Sequence, residues 1–109
     1  MNHPAVPEVD VHEAHRRATA GAAHLLDVRE ADEWALGRAP SARHLAMSSL
    51  QVAAVPTDRP VLVICHLGGR SAMVASHLAA AGFDVTNVSG GMDAWEAAGL
   101  PVTDEPRTL

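Results

Sequence analysis

The stretch Val61-Leu62-Val63-Ile64-Cys65-His66-Leu67-Gly68-Gly69-Arg70-Ser71 decides how the rest of the chain is read. Its first four residues are β-branched or Leu and follow Pro60, which predicts a strand buried on both faces. Two adjacent glycines then allow a tight backbone curl, and the Ala-rich segment Ala72 to Ala81 predicts a helix capped by Ser71 and ended by Gly82. In a strand, glycine loop and helix start of this kind, successive N–H groups can turn toward one centre. The helix dipole and the Arg70 guanidinium favour negative charge at the same place. A thiolate on Cys65, or a bound oxyanion, would be stabilised there.

Working outward, short apolar segments alternate with helical ones. Toward the N-terminus, Asp10 and Glu13 form a capping pair ahead of a helix running to about Ala20, with Gly21 as its stop. Leu25 to Val28 predicts a buried strand, Glu30 to Leu36 a helical turn, His44 to Met47 a weaker strand, and Ser48 to Ala54 a helix. Toward the C-terminus, Val85 to Val88 predicts a strand and Gly91 to Ala98 a last helix before Gly99. This alternation points to an α/β fold with a mostly parallel sheet covered on both sides, whose ligand site lies at the carboxyl ends of the strands. One domain is expected over residues 1–109, with a core from about 8 to 101 and fraying termini, including the polar tail from Pro101.

Composition narrows the function. All eight basic residues are Arg, mostly single, in a chain of formal charge −5, so no basic stripe is available to follow a phosphate backbone. No nucleic-acid partner is expected. The longest apolar run, Val61 to Cys65, is far too short for a membrane helix, and the first ten residues lack the pattern of a secretory signal. A soluble cytoplasmic protein is the expectation, with no membrane partner. The single cysteine allows no internal disulfide, and the seven histidines show no ligand spacing, so neither a metal nor a cofactor is expected.

The loop also resembles that of the rhodanese family, in which a cysteine, four residues and an arginine precede Ser or Thr, here Cys65, His66-Leu67-Gly68-Gly69, Arg70 and Ser71. Asp27-Val28-Arg29-Glu30 with Glu33-Trp34 is similar to the family's first signature, and Gly90-Gly91-Met92 with Trp95 to its last. One element departs: Gly37-Arg38-Ala39-Pro40-Ser41-Ala42 stands where the family usually has Gly-His-Ile-Pro-Gly-Ala, keeping Gly37, Pro40 and Ala42. The resemblance spans about Asp10 to Pro101. It implies a three-layer rhodanese-like α/β fold, a five-stranded parallel sheet with helices on both faces. It also implies sulfur transfer through a Cys65 persulfide, from a donor such as thiosulfate to a thiol, cyanide or a sulfur-accepting protein.

The residues then divide by role. Cys65 is the expected nucleophile, against the alternative of a small buried hydrophobe. Arg70 is expected to bind the anion, because a cation at a helix N-terminus is unfavourable unless something negative offsets it. Gly68, Gly69 and Ser71 build the loop and are expected, with Arg70, His66 and Leu67, to bind the substrate, the side chains of His66 and Leu67 facing outward toward substrate or partner. Asp27 and Arg29, at the end of the neighbouring strand, are expected to brace the site through a charged pair with Glu30 or Glu33. Trp34 and Trp95 are expected in the core. Two other functions compete: a phosphatase or arsenate reductase of the same fold, whose loops have five residues between cysteine and arginine, and a non-enzymatic sulfur-relay or binding module.

Overall fold

The computed structural model describes residues 5–105. Five parallel strands form one sheet: β1 (Glu8–Val9), β2 (His24–Asp27), β3 (Ala42–His44), β4 (Val61–Ile64) and β5 (Val85–Val88), in the order β1-β5-β4-β2-β3. Between them run α1 (Val11–Thr19), α2 (Ala31–Leu36), α3 (Gly69–Ala80) and α4 (Gly91–Ala97). The period of two along each strand divides the core. Leu25, Leu62, Ile64 and Val88 point to the face covered by Val11 and Ala14 of α1 and by Met92 and Trp95 of α4. Leu26, Val61, Val63 and Val85 point to the opposite face, against Val74, Ala75 and Leu78 of α3. Helices thus cover both faces of the sheet, and β4 at its centre carries no polar residue, which gives the three layers expected from the sequence.

Local signals account for the helix starts. The Asp10 carboxylate accepts the Glu13 N–H at 2.9 Å at the head of α1. At the head of α2 the Glu33 carboxylate accepts the Glu30 N–H at 3.1 Å. The chain departs from expectation in four places. A two-residue strand, β1, pairs with β5 through Glu8 and Asn87, too short to leave a periodic signal. Strand β3 lies at Ala42–His44 instead of His44 to Met47, because Ala42 aligns with Leu25 and the chain beyond it hydrogen-bonds past the end of β2. The expected helix from Ser48 to Ala54 is two 3₁₀ turns, Met47–Ser49 and Val52–Ala54, split by an extended Leu50 and Gln51. Finally, α3 begins at Gly69 with a left-handed Gly68 as its N-cap, so Ser71 lies inside the first turn and does not cap it.

The C-terminal segment is held where fraying was expected. Arg38 and Thr103 form an antiparallel bridge, the Arg38 guanidinium donates to the Glu105 and Trp34 carbonyls, and the Trp95 indole donates to the Pro101 carbonyl. The departure at Arg38 from the usual histidine thus ties residues 103–105 to the body of the molecule. Residues 1–4 and 106–109 of the expected termini lie outside the described residues. Among the described residues no helix is long and apolar enough to cross a membrane.

Candidate active site

Helix α2, which follows β2, packs through Trp34 on one face of the sheet, while α3, which follows β4, covers the other. Between two neighbouring strands whose connections leave to opposite faces, a crevice opens at the carboxyl ends. Cys65, the first residue after β4, sits at that crevice. It is 1% exposed.

The loop curls so that its amides face the sulfur. The Gly68 N–H donates to the Cys65 Sγ at 3.1 Å, and the Ser71 hydroxyl donates to it at 3.2 Å. Gly68 has φ 106°, which a side chain rarely adopts, whereas Gly69 has no such requirement. Burial pushes the thiol up. The Ser71 hydroxyl and the backbone amides of Ser71, Gly68 and Leu67 outweigh that and hold Cys65 below its ordinary range.

The loop carbonyls are drawn the other way. The first amides of α4 reach them: Met92 N–H donates to the Cys65 carbonyl at 2.7 Å and Asp93 N–H to the His66 carbonyl at 3.0 Å. Gly90 and Gly91, both at positive φ, make the turn that brings α4 so close. A Cβ on Gly91 would stand 2.3 Å from the Cys65 carbonyl oxygen. With carbonyls bound on one side, the amides are left to point inward. The Gly90-Gly91 signature therefore serves the cysteine loop from the far end of the sequence.

Arg70 is placed differently from the expectation. Its guanidinium makes two hydrogen bonds to the Glu33 carboxylate, at 2.7 and 2.8 Å, so the anion that offsets this cation is part of the chain. The pair spans the crevice from α2 to α3. Arg70 holds the Glu33 carboxyl far down, at about 2, and Glu33 raises Arg70 in return. The Cys65 thiolate also contributes to raising Arg70, which puts the guanidinium within the sulfur's field.

The brace at the end of β2 is likewise not the pair anticipated. Asp27 and Arg29 bind each other: the buried guanidinium donates from Nε and Nη2 to both Asp27 oxygens, and the Arg29 N–H donates to Oδ1 at 3.0 Å. Its remaining donors reach the backbone carbonyls of Gly37 at 2.7 Å and Glu33 at 3.4 Å, not the Glu30 or Glu33 carboxylates. Arg29 thereby joins the C-terminal turn of α2 to the sheet, and α2 in turn presents Glu33 to Arg70. Glu30 instead accepts from Ser48. Trp95 is fully buried as expected, but Trp34 is half-buried, stacked on His44 at 4.7 Å and beneath the Arg38 guanidinium at 5.0 Å.

Of the other loop residues, His66 and Leu67 are exposed, as their outward orientation requires. Ser71 is fully buried with its hydroxyl on Cys65, so it supports the sulfur. Beside the loop, a cavity of about 280 Å³ is lined by Arg29, Glu33, Leu36, Gly37, His66 and Glu96. A larger cavity, about 430 Å³, opens at the other end of the sheet around Pro60 and Asp84, away from this chemistry. Among the described residues no three His, Cys, Asp or Glu side chains are grouped to hold a metal ion.

A parallel α/β sheet carrying a cysteine in an amide-lined loop at its carboxyl edge defines the class. Residues 10–98 match the rhodanese-like domain family, and the chain belongs to it. Among solved structures it is similar to a rhodanese-related protein of Thermoplasma volcanium, with 28% identity over 91% of this chain and 99% of that one and a TM-score of 0.84. A Staphylococcus saprophyticus protein shares 31% identity over 88% of this chain and 99% of its own, with a TM-score of 0.76. A Rhodopseudomonas palustris protein described as a possible tyrosine phosphatase shares the fold at 23% identity, covering 90% of this chain and 85% of that one, with a TM-score of 0.80.

Proposed function

We propose that this chain is a sulfurtransferase that moves a sulfane sulfur from a donor such as thiosulfate to a thiophilic acceptor through a persulfide on Cys65. The observation that carries the reading is the set of donors converging on Sγ, the Gly68 N–H and the Ser71 hydroxyl, at the head of α3. These groups stabilise a thiolate, and a thiolate is the form of cysteine that attacks sulfur. Its lone pair forms a bond to the outer sulfur of thiosulfate, the donor's S–S bond breaks, and the electron pair leaves with sulfite. The terminal sulfur of the resulting Cys65 persulfide then lies at the mouth of the loop. A second thiophile, either cyanide, a thiol or a sulfur-accepting protein, attacks that outer sulfur and returns the Cys65 thiolate. The exposed His66 and Leu67 side chains are what an approaching acceptor meets first. A lone nucleophilic thiol suits a reducing compartment such as the cytoplasm.

Loop length bears on the competing reaction. With four residues between Cys65 and Arg70 and the arginine bound to Glu33, the ring of amides is small for a tetrahedral phosphate or arsenate. Treatment with thiosulfate is expected to release sulfite and add one sulfur atom to the wild-type mass and none to Cys65→Ser, with thiocyanate formed when cyanide is then added. A folded wild type that gains no sulfur, or a Cys65→Ser protein that gains the same adduct, refutes the mechanism. Turnover of a phosphate ester at a rate above that of thiosulfate would favour the phosphatase reading.

A further inference from the structure

Asn87 is a polar side chain in the buried strand β5, 1% exposed, between Thr86 and Val88. Asn is disfavoured in strands, and an apolar residue of the same shape would fit a core position without a desolvation cost. Its Nδ2 donates to the Gly68 carbonyl at 3.3 Å and to the Glu8 carboxylate at 3.0 Å. Both partners are acceptors, so the amide orientation follows from the network. Its Oδ1 is buried with no hydrogen-bond partner among the described residues. The side chain is thus turned to serve its two donors, leaving the acceptor unpaired.

The bond to Gly68 matters because of what Gly68 does. Its N–H donates to the Cys65 sulfur, and its carbonyl already accepts the Ala72 N–H, at 3.2 Å, as the first turn of α3. Gly68 has no side chain to restrict its rotation and stands at φ 106°. A second donor on the other lone pair of the same carbonyl holds that residue in place from outside the loop. Met92 and Asp93 bind the carbonyls of Cys65 and His66, so Asn87 completes a row of tethers from the β5–α4 side.

We propose that Asn87 is a positioning residue for the Cys65 nucleophile: by holding the Gly68 carbonyl it aims the Gly68 N–H at the sulfur. This rests on the reading of Cys65 as the reacting group, but not on the identity of the donor or acceptor. Glu8, at the far side of the amide, also accepts from Ser89 at 3.0 Å, so it has a separate anchor. It belongs to the tie between β1 and β5, not to the loop.

The test is the pH dependence of iodoacetamide alkylation of Cys65, the only thiol, in the full-length protein. Asn87→Leu keeps the branched shape and removes both donors together with the unpaired oxygen, so its unfolding midpoint in urea stays at or above the wild-type value. Its alkylation midpoint rises by about one pH unit, and alkylation well below the midpoint slows about tenfold. Glu8→Gln keeps an acceptor for Asn87 and leaves the alkylation midpoint at the wild-type value. A folded Asn87→Leu protein with the wild-type alkylation midpoint overturns the proposal, as does a Glu8→Gln shift as large as that of Asn87→Leu. If Asn87→Leu does not fold, Asn87→Ala carries the same test. Should the wild type form no persulfide while the midpoints move as described, the sulfur-transfer reading falls and the positioning role stands.

Discussion

Arg70 and Glu33 form the most exposed part of the site's polar frame, each side chain about one-third accessible. Solvent therefore screens the pair, and its worth is about 1 kcal/mol. Its pH dependence has a definite sign. The Glu33 carboxyl lies at about 2 in the folded chain against an ordinary value of 4.5, so between these values the unfolded chain binds more protons. The pair's stabilisation is complete above about pH 4.5 and is lost as the pH falls toward 2. Glu33→Gln should then be less stable than wild type by about 1 kcal/mol at pH 6, with a much smaller gap at pH 2.5, as read from urea unfolding at each pH. An equal gap at both pH values would place its origin elsewhere. The same variant leaves Arg70 with an uncompensated charge beside the sulfur, so the Cys65 alkylation midpoint should fall, by a few tenths of a pH unit.

Among the elements, α4 has a role beyond covering the sheet. Its first amides hold the carbonyls of Cys65 and His66, and that approach leaves no room for a side chain on Gly91. Gly91→Ala would put a Cβ 2.3 Å from the Cys65 oxygen and 2.5 Å from the His66 oxygen, both backbone atoms, at φ 58°. Relief requires α4 to retreat or the loop to shift. The cost is about 2 kcal/mol or more of stability, and the loss of the carbonyl tethers should raise the Cys65 alkylation midpoint. Gly69→Ala makes the contrast: its Cβ would meet nothing within 4 Å and its φ is not left-handed. That variant should keep wild-type alkylation and gain up to about 1 kcal/mol. Two glycines that look equivalent as loop punctuation are thus separated by one urea titration and one alkylation profile.

At the scale of the whole molecule, the sheet order brings the ends of β2 and β4 side by side and sends α2 and α3 to opposite faces. Asp27 and Arg29 lock this arrangement from within. Asp27 is fully buried, and Arg29 ties it to carbonyls of the C-terminal turn of α2. Asp27→Asn would strand the Arg29 charge in the interior with only carbonyls and one amide to receive it. Removing one partner of a buried ion pair costs about 3 to 5 kcal/mol, a large share of the roughly 5 to 15 kcal/mol available to a domain. Urea unfolding should show that loss at neutral pH. A loss below about 1 kcal/mol would mean that the carbonyl contacts alone keep Arg29 satisfied.

The sequence by itself determined the local pieces. The apolar runs at Leu25 and Val61 need cover on both faces, and the glycine pair after Cys65 permits a curled loop ahead of a helix. Such signals lie within a few residues of the structure they specify. Tertiary structure decided what those pieces meet. Glu33 and Arg70 lie 37 positions apart, and Asn87 is 19 positions from Gly68, so no local pattern reveals either contact. Asn87 follows another polar residue, Thr86, in β5 and carries no local signal, and its partner depends on β5 lying beside β4. Strand β1 is two residues long and exists only because β5 offers an edge at Asn87 and Val88. Ser71 was legible as a residue of a helix start, but Gly68 adopts the left-handed cap and the Ser71 hydroxyl donates to sulfur instead. Periodicity and turn chemistry act through neighbouring residues, whereas the charge and donor geometry around Cys65 come from four separate segments that only the folded sheet brings together.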